Sequence, residues 1–174
     1  MSLFIFMKRK YNKRNYNNRD KYSIEQTTFL TTSVANWIGY QETGLIDTLQ
    51  QWFPIVAPSE IQGMRKVKHL TISLSNAGND AMPLWWCIQY VPAGYEPQKL
   101  RISNTGGGTN LVSANQNVMA SGVIDFSAGP TRIYSRLARN LNSGDNIYLV
   151  LATYSTAPSA NQIGGLVQYA CTLQ

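Results

Sequence analysis

The sequence predicts an all-β fold, an antiparallel two-sheet sandwich that follows a basic N-terminal segment. Apolar residues recur at every second position or in short unbroken runs, whereas sustained helical spacing is nearly absent. Turn-forming segments rich in Gly, Asn and Pro separate these runs. The third observation is the charge, because the whole formal charge of +6 in 174 residues arises within residues 1–22, and the remainder is balanced.

Residues 1–22 are predicted to form a disordered basic arm that binds nucleic acid. The segment contains seven Lys or Arg side chains and one acid, Asp20, with tyrosines between the charges. It has no apolar period with which to bury a face, so we expect it to be disordered until it meets a polyanion. Cations bind phosphates and tyrosines stack on bases. The predicted binding residues of the arm are Lys8, Arg9, Lys10, Tyr11, Lys13, Arg14, Tyr16, Arg19 and Lys21.

Residues 23–174 are predicted to form one domain of seven or eight strands. A first strand is expected within 26–37, and later ones at 66–75, 84–91, 117–126, 131–139, 146–155 and 164–173. In the second of these, Leu70, Ile72 and Leu74 share one face, which predicts a half-buried strand. The run at 84–91 is the most apolar and is expected in the middle of the core. Residues 44–53 are the exception, because their spacing predicts one short helix. Periodicity does not distinguish a jelly roll from an immunoglobulin-like sandwich.

The sequence contains no pattern that predicts an enzyme, a cofactor site or a metal site. Cys87 and Cys171 lie in apolar runs and are predicted to be buried free thiols. His69 is the single histidine, without a second histidine or cysteine at ligand spacing, and is expected to be a satisfied residue on a strand face. The glycines at 106–108 precede neither Lys-Ser/Thr nor a predicted helix, so a surface loop is expected there instead of a phosphate cradle.

The predicted strand at 131–139 carries a second candidate nucleic-acid contact. Arg132, Tyr134 and Arg136 alternate onto one face, and the residues between them, Ile133, Ser135 and Leu137, onto the other. Two arginines on either side of a tyrosine suit a phosphate backbone and a stacked base. The same side chains also suit ion pairs with a neighbouring subunit or a solvated surface, and these alternatives stay open.

Three stretches of the body resemble the capsid proteins of circular, replication-initiator-encoding single-stranded DNA viruses, the group that includes circoviruses and nanoviruses. They are MRKVK at 64–68, LWWCIQYVPAG at 84–94, and SRLARNLNSGD at 135–145, which leads into the strand predicted from residue 146. The three occur in the expected order behind a basic arm and span most of the body.

The resemblance implies an eight-stranded antiparallel jelly roll that assembles into the smallest icosahedral shell (T=1), of about 60 copies. It implies further that the arm projects inward onto a packaged single-stranded DNA genome. The protein would reside in the virion and, during assembly, in the host nucleus, with residues 8–21 serving also as a nuclear-import signal. A host receptor is implied but not identified. Exposed loop aromatics are expected to anchor contacts between subunits, and the candidates are Trp37, Tyr40, Trp52 and Tyr95.

Two other functions fit the same pattern. One is the coat protein of a small RNA virus or satellite virus, since nothing in the arm separates DNA from RNA. The other is a non-viral module that binds single-stranded nucleic acid without sequence preference and stays small in solution.

Overall fold

Antiparallel β-strands account for the regular structure, as the period-two pattern predicts. The computed structural model describes residues 22–31, 37–76, 83–103, 111–113, 117–125, 129–154 and 162–173, which form strands and contain no helix. The strands are β1 (Ser23–Leu30), β2 (Ile38–Tyr40), β3 (Thr48–Val56), β4 (Arg65–Asn76), β5 (Pro83–Val91), β6 (Arg101–Ser103), β7 (Leu111–Ser113), β8 (Val118–Asp125), β9 (Thr131–Ser135), β10 (Arg139–Leu141), β11 (Asn146–Tyr154) and β12 (Ile163–Leu173). Across these ranges no helix is long and apolar enough to cross a membrane.

The strands form two large sheets and one small ribbon. Sheet A has the order β1-β12-β4, and both β9 and β10 pair with the remaining edge of β4. Sheet B has the order β2-β3-β11-β5-β8, and β6 pairs with β7 in the ribbon. All these pairs are antiparallel. The strand at the start of the body therefore pairs with the last described strand.

The main core lies between the two sheets. Leu70, Ile72 and Leu74 of β4 are buried, as the alternation predicts. Phe29 of β1 stacks on Phe53 of β3, with 4.4 Å between the ring centroids, and so joins the two sheets. Other buried members of this core are Ile55, Val56, Val67, Leu84, Ile88, Ile124, Ile133, Leu141, Ile147, Leu149, Leu151, Ile163 and Val167.

A second apolar cluster covers the outer face of sheet B. Trp85 and Cys87 alternate with core residues on β5, so they face away from sheet A, as do Val150 and Ala152 on β11. Leu100, Ile102, Ile46 and Trp52 pack against them. Sheet B is thus buried on both faces, which is why its central strands read as unbroken apolar runs.

Two buried glutamines fix the segment that covers this cluster. Gln89 donates through Nε2 to the Gln98 carbonyl (2.8 Å) and accepts from the Gln98 amide through Oε1 (2.9 Å). Gln50 makes the same pair of bonds with the backbone of Leu100, both at 2.7 Å. Each side-chain amide therefore satisfies one backbone N–H and one C=O, as a neighbouring strand would.

The helix predicted at 44–53 is wrong, because residues 48–56 form β3, a strand of sheet B. The apolar side chains there are divided between two clusters: Phe53 lies in the main core, while Trp52 packs into the second cluster. Because β3 has apolar residues on both faces, their spacing in the sequence resembles that of a helix. The short strands β2, β6 and β7 were not predicted. The predicted strands at 66–75, 84–91, 146–155 and 164–173 match β4, β5, β11 and β12 to within a residue.

A buried carboxylate closes one end of the sandwich. Asp145 is 3% exposed and accepts hydrogen bonds from the Asn142 amide (2.8 Å), the Ala93 amide (3.1 Å) and the Tyr90 hydroxyl (2.8 Å). Gly144 before it has φ of 83°, which favours glycine. Cys87 is a buried free thiol, as predicted, whereas Cys171 is free but only half-buried.

Candidate nucleic-acid interface

The charged residues of the body are divided unequally between the two sheets. The strands of sheet A contain five bases and one acid, Glu25, whereas those of sheet B contain no base and one acid, Asp125. With Arg136, which follows β9 directly, six of the eight bases beyond residue 22 belong to sheet A or its links. Sheet A is therefore the cationic side of the sandwich. The five bases in its strands are Arg65, Lys66, Lys68, Arg132 and Arg139.

A β-bulge in β4 turns two lysines outward. Val67 is 2% exposed and points into the core, so Lys66 and Lys68 point to the outer face. Leu70 also points inward, although strict alternation would place it on the same side as Lys68. His69 is the extra residue of the bulge and has φ of 55°. The register with β12 shifts at the same place. The bulge brings Lys66, Lys68 and the polar side chains that follow onto one surface.

The outward side chains of β9 lie on the same surface. Ile133 is buried, while Arg132 and Tyr134 on either side of it are exposed, as predicted. Arg132 lies opposite Ser73 and Tyr134 opposite Thr71 of β4. The Tyr134 hydroxyl is 3.4 Å from Nδ1 of His69. An arginine, a tyrosine and a histidine therefore stand side by side on the outer face of sheet A.

The predicted alternation at 131–139 ends at Ser135, where β9 ends. Ser135 pairs with Leu70, and the next pair, Arg139 with Val67, begins β10. The link between them passes the bulge of β4. Leu137 is 48% exposed there, whereas Ile133 and Ser135 are buried, so Leu137 does not share their face as predicted. Arg136 is exposed in this link and lies outside the strand on which it was predicted.

Two of the sheet A cations are engaged at the end of the sandwich. The Arg139 guanidinium lies 4.0 Å from the ring centroid of Tyr90, which belongs to sheet B. Arg65 donates to the carbonyl of Ala57 (3.1 Å) and, at 3.4 Å, to that of Asp145. The other sheet A cations, Lys66, Lys68 and Arg132, point to the outer face, where Lys68 also contacts Tyr22.

The chain enters sheet A beside this surface. Lys68 Nζ lies 3.4 Å from the ring centroid of Tyr22, the residue that precedes β1. A cation over a tyrosine ring is stabilising. The basic segment 1–21 is therefore joined covalently to the sheet whose strands carry the body's own cations. All nine predicted binding residues of the arm, from Lys8 to Lys21, lie outside the described residues.

Lys66, Lys68 and Tyr22 are not among the binding residues that the sequence predicts. Strict alternation from Leu70 through Leu74 puts Lys68 on the core side, because the bulge at His69 is not assumed. The change of phase between Val67 and Leu70, with lysines on both sides of the valine, is the signal that could have indicated the bulge.

The four aromatic residues proposed as subunit anchors differ in exposure. Trp37 is half-buried and packs on the main core, and Trp52 packs on the second cluster. Tyr40 is half-buried, and its hydroxyl donates to Glu42. Trp52 and Tyr40 lie in strands β3 and β2, so their predicted location in loops is wrong. Tyr95 is 73% exposed and is the strongly exposed member of the four.

Tyr95 is one of the residues that line a cleft of about 300 Å³. The cleft contains one carboxylate, Glu96, and no base, so it does not suit a phosphate. Its other lining residues are Gln89, Tyr90, Val91, Pro92, Gln98 and Asn117. Within the described ranges, no three His, Cys, Asp or Glu side chains are grouped so that they could hold a metal ion.

Comparison with known proteins gives no family for this chain. No protein-family model and no curated protein matches it. Among solved structures, the chain is similar to dimeric latent PorU from Porphyromonas gingivalis, at 14% identity and a TM-score of 0.31. The match covers 87% of this chain and 13% of PorU. A likeness of this size identifies neither a fold nor a function.

Proposed function

We propose that this chain is the coat protein of a small single-stranded DNA virus, similar to those of the circovirus and nanovirus group. About 60 copies, each an eight-stranded jelly roll, would close into an icosahedral shell around the genome. The arm at residues 1–22 and the outer face of sheet A would hold the packaged DNA. In this function the chain binds and assembles and performs no chemistry.

The pairing of the strands supports the jelly roll. If β9 and β10 count as one interrupted strand and β2, β6 and β7 as additions, eight strands remain. The first then pairs with the eighth, the second with the seventh, the third with the sixth and the fourth with the fifth. This nesting is expected of a long hairpin rolled into two sheets. In an immunoglobulin-like sandwich the first strand pairs with the second instead.

The segregation of charge is the observation that carries the nucleic-acid function. Lectin and cupin domains share the jelly roll, so the fold does not by itself imply packaging. Lys66, Lys68 and Arg132, however, share one face with Tyr134, and the basic arm is joined to the same sheet. Cations bind phosphates, and exposed aromatic rings stack on the bases of a single strand but not on those of a duplex.

The amount of charge is suited to packaging. With +6 in each arm, about 60 copies would carry about 360 positive charges, which neutralise a few hundred phosphates by counterion release. The body adds no net charge to this. Its cations would contribute through their location on the outer face of sheet A, against which the DNA would lie.

The decisive experiment is negative-stain electron microscopy of the purified protein, with nuclease typing of the nucleic acid that copurifies. We expect closed particles roughly 20 nm across, containing nucleic acid that DNase removes and RNase does not. Particles that contain RNA would instead favour the coat protein of an RNA or satellite virus. A monomer or small oligomer at every salt concentration and pH would contradict a coat protein and favour the single-strand-binding module.

A further inference from the structure

Strand β1 forms a long and regular edge of sheet A. It pairs with β12 over eight consecutive residues without a shift in register. On its other side, no strand of the described residues pairs with it. Every second backbone N–H and C=O of an edge strand points away from its sheet, ready to bond another strand.

The other edges of the two sheets are interrupted, short or irregular, whereas β1 is not. The opposite edge of sheet A is split into β9 and β10 and carries Arg132 and Arg139. In sheet B, β2 has three residues, and β8 has a register shift against β5 and ends at Asp125. The sequence of β1, SIEQTTFL, contains no Pro, Lys or Arg. β1 therefore lacks the proline, lysine and bulge that usually prevent edge pairing, and Glu25 is its one charged residue.

The outward side chains of β1 are complementary to themselves. Phe29 points into the core, so Ile24, Gln26, Thr28 and Leu30 point to the outer face. Ile24 is 80% exposed and Leu30 is 53% exposed, which places one large apolar residue near each end of the strand. A two-fold axis perpendicular to the sheet keeps the outer faces of two copies on the same side. With Thr27 on that axis, Ile24 lies opposite Leu30 of the partner copy, and Gln26 lies opposite Thr28.

We propose that β1 pairs antiparallel with β1 of a second copy about a two-fold axis at Thr27. Sheet A then continues through two copies, and the two exposed apolar positions of each β1 cover those of the other. The contact is isologous and closes with two chains. Both cationic faces lie on the same side of the continuous sheet. This dimer does not depend on the proposed function and is tested separately from it.

The test is a cysteine cross-link in the full chain, in which Cys171 is first replaced by Ser. Residues directly opposite in an antiparallel pair are close enough for a disulfide. We expect the double variant Ile24→Cys, Leu30→Cys to become a covalent dimer on mild oxidation, seen on a non-reducing gel. The two positions of one chain are about 20 Å apart along the strand, so they cannot bond within a copy. In the proposed register, identical positions of the two copies lie at opposite ends of the contact, about 20 Å apart. Each single variant should therefore stay monomeric on the gel.

Three outcomes would overturn the dimer. Failure of the double variant to cross-link removes the contact, and cross-linking of either single variant shows a different register or a parallel pairing. Cross-linking that requires deletion of residues 1–21 shows that this segment, not a second copy, covers the edge. Closed particles without the cross-link would keep the coat-protein proposal and reject only this interface.

A pair of charge variants gives a second measurement. Ile24→Lys with Leu30→Lys puts four lysines at the proposed contact while changing only exposed side chains. Ile61→Lys, at a loop residue that is 56% exposed, is the control. We expect the β1 variant alone to lose association that the wild type shows in sedimentation velocity, with circular dichroism unchanged in both. A β1 variant that associates as the wild type does contradicts the proposal.

Discussion

Gln50 and Gln89 take the place of a neighbouring strand on the outer face of sheet B. Both are 1% exposed, and each exchanges two hydrogen bonds with the backbone of the covering segment at 98–100. A buried polar group without its partner costs more than the bond itself contributes. These two side chains are therefore expected to be among the polar residues that stability depends on most.

Replacement of Gln50 by Met should lower the free energy of unfolding by about 2–4 kcal/mol, because the N–H and C=O of Leu100 would stay buried and unbonded. Urea denaturation followed by tryptophan fluorescence measures the change. Gln41→Met is the matched control, since the Gln41 side chain is exposed and, among the described residues, bonds to exposed Asp47. Equal losses in the two variants would contradict this role of Gln50.

Cys87 makes the free energy of unfolding depend on pH in the alkaline range. Burial raises the pKa of its thiol from 9.0 to about 12. The unfolded chain releases this proton first, so the contribution to stability is complete below about pH 9 and is lost as the pH rises towards 12. Burial also raises the pKa of Tyr90 and of Tyr169, which act in the same direction.

We expect the melting temperature to fall between about pH 9 and pH 11, and to fall less steeply in Cys87→Ala, which removes the titrating group. Differential scanning calorimetry across the pH series measures both slopes. The variant will be less stable at neutral pH because it leaves a cavity, so the slope and not the absolute value is the test. Parallel slopes would show that the thiol has no such effect.

At the scale of elements, β1 packs against β12 where Phe29 lies opposite Gly165. A Cβ on Gly165 would overlap the ring of Phe29, which stacks on Phe53. A Cβ on the adjacent Gly164 would stand 3.5 Å from Ser75 Oγ, an ordinary contact. The two neighbouring glycines therefore differ in what a methyl group would meet.

Gly165→Ala should lower the free energy of unfolding by about 1–3 kcal/mol, because Phe29 must leave its stacked position. Gly164→Ala, the matched control, should change it by less than about 1 kcal/mol, since the new methyl group makes an ordinary contact and alanine restricts the unfolded chain. Thermal denaturation of both variants measures this difference in stability. An unaffected Gly165→Ala would mean that Phe29 moves without cost.

Strands whose side chains alternate regularly between a buried and an exposed face could be predicted from the sequence. Strands without this regular alternation could not. β12 and the second half of β4 keep their alternation, the apolar run of β5 was predicted to lie in the core, and β11 was predicted as a strand. β3 was missed because Trp52 and Phe53 enter different clusters, and β6 and β7 are too short for a period. The same limit applies to the proposed binding face. Arg132 and Tyr134 follow a regular strand, whereas Lys66 and Lys68 lie beyond a bulge that shifts the phase.

At the scale of the whole molecule, the division of charge predicts two separable contributions to nucleic-acid binding. Deletion of residues 1–21 should weaken binding to short oligo(dT) strongly but not abolish it, since the outer face of sheet A remains. In that shortened chain, Lys66→Gln with Lys68→Gln should reduce the slope of log K against log salt by about 1.4, or about 0.7 for each phosphate that is no longer neutralised. Fluorescence anisotropy over a salt series measures the slope.

Lys99→Gln with Arg101→Gln is the control for this experiment. It removes the same charge from exposed residues of the segment that covers sheet B, away from the proposed site. Its slope should match that of the unmodified shortened chain. If the control reduces the slope as much as the lysine pair does, net charge and not the surface of sheet A determines binding.

The pairing of β1 with β12 also has a consequence for synthesis of the protein. Ser23 and Cys171 are partners in the register, so β1 leaves the ribosome long before the strand that completes its sheet. Long-range strand pairing of this kind is slow to form. Until β12 emerges, the nascent chain has neither a finished sheet A nor the edge that β1 presents. The proposed contact between two finished edges therefore forms only after β12 has emerged and sheet A is complete.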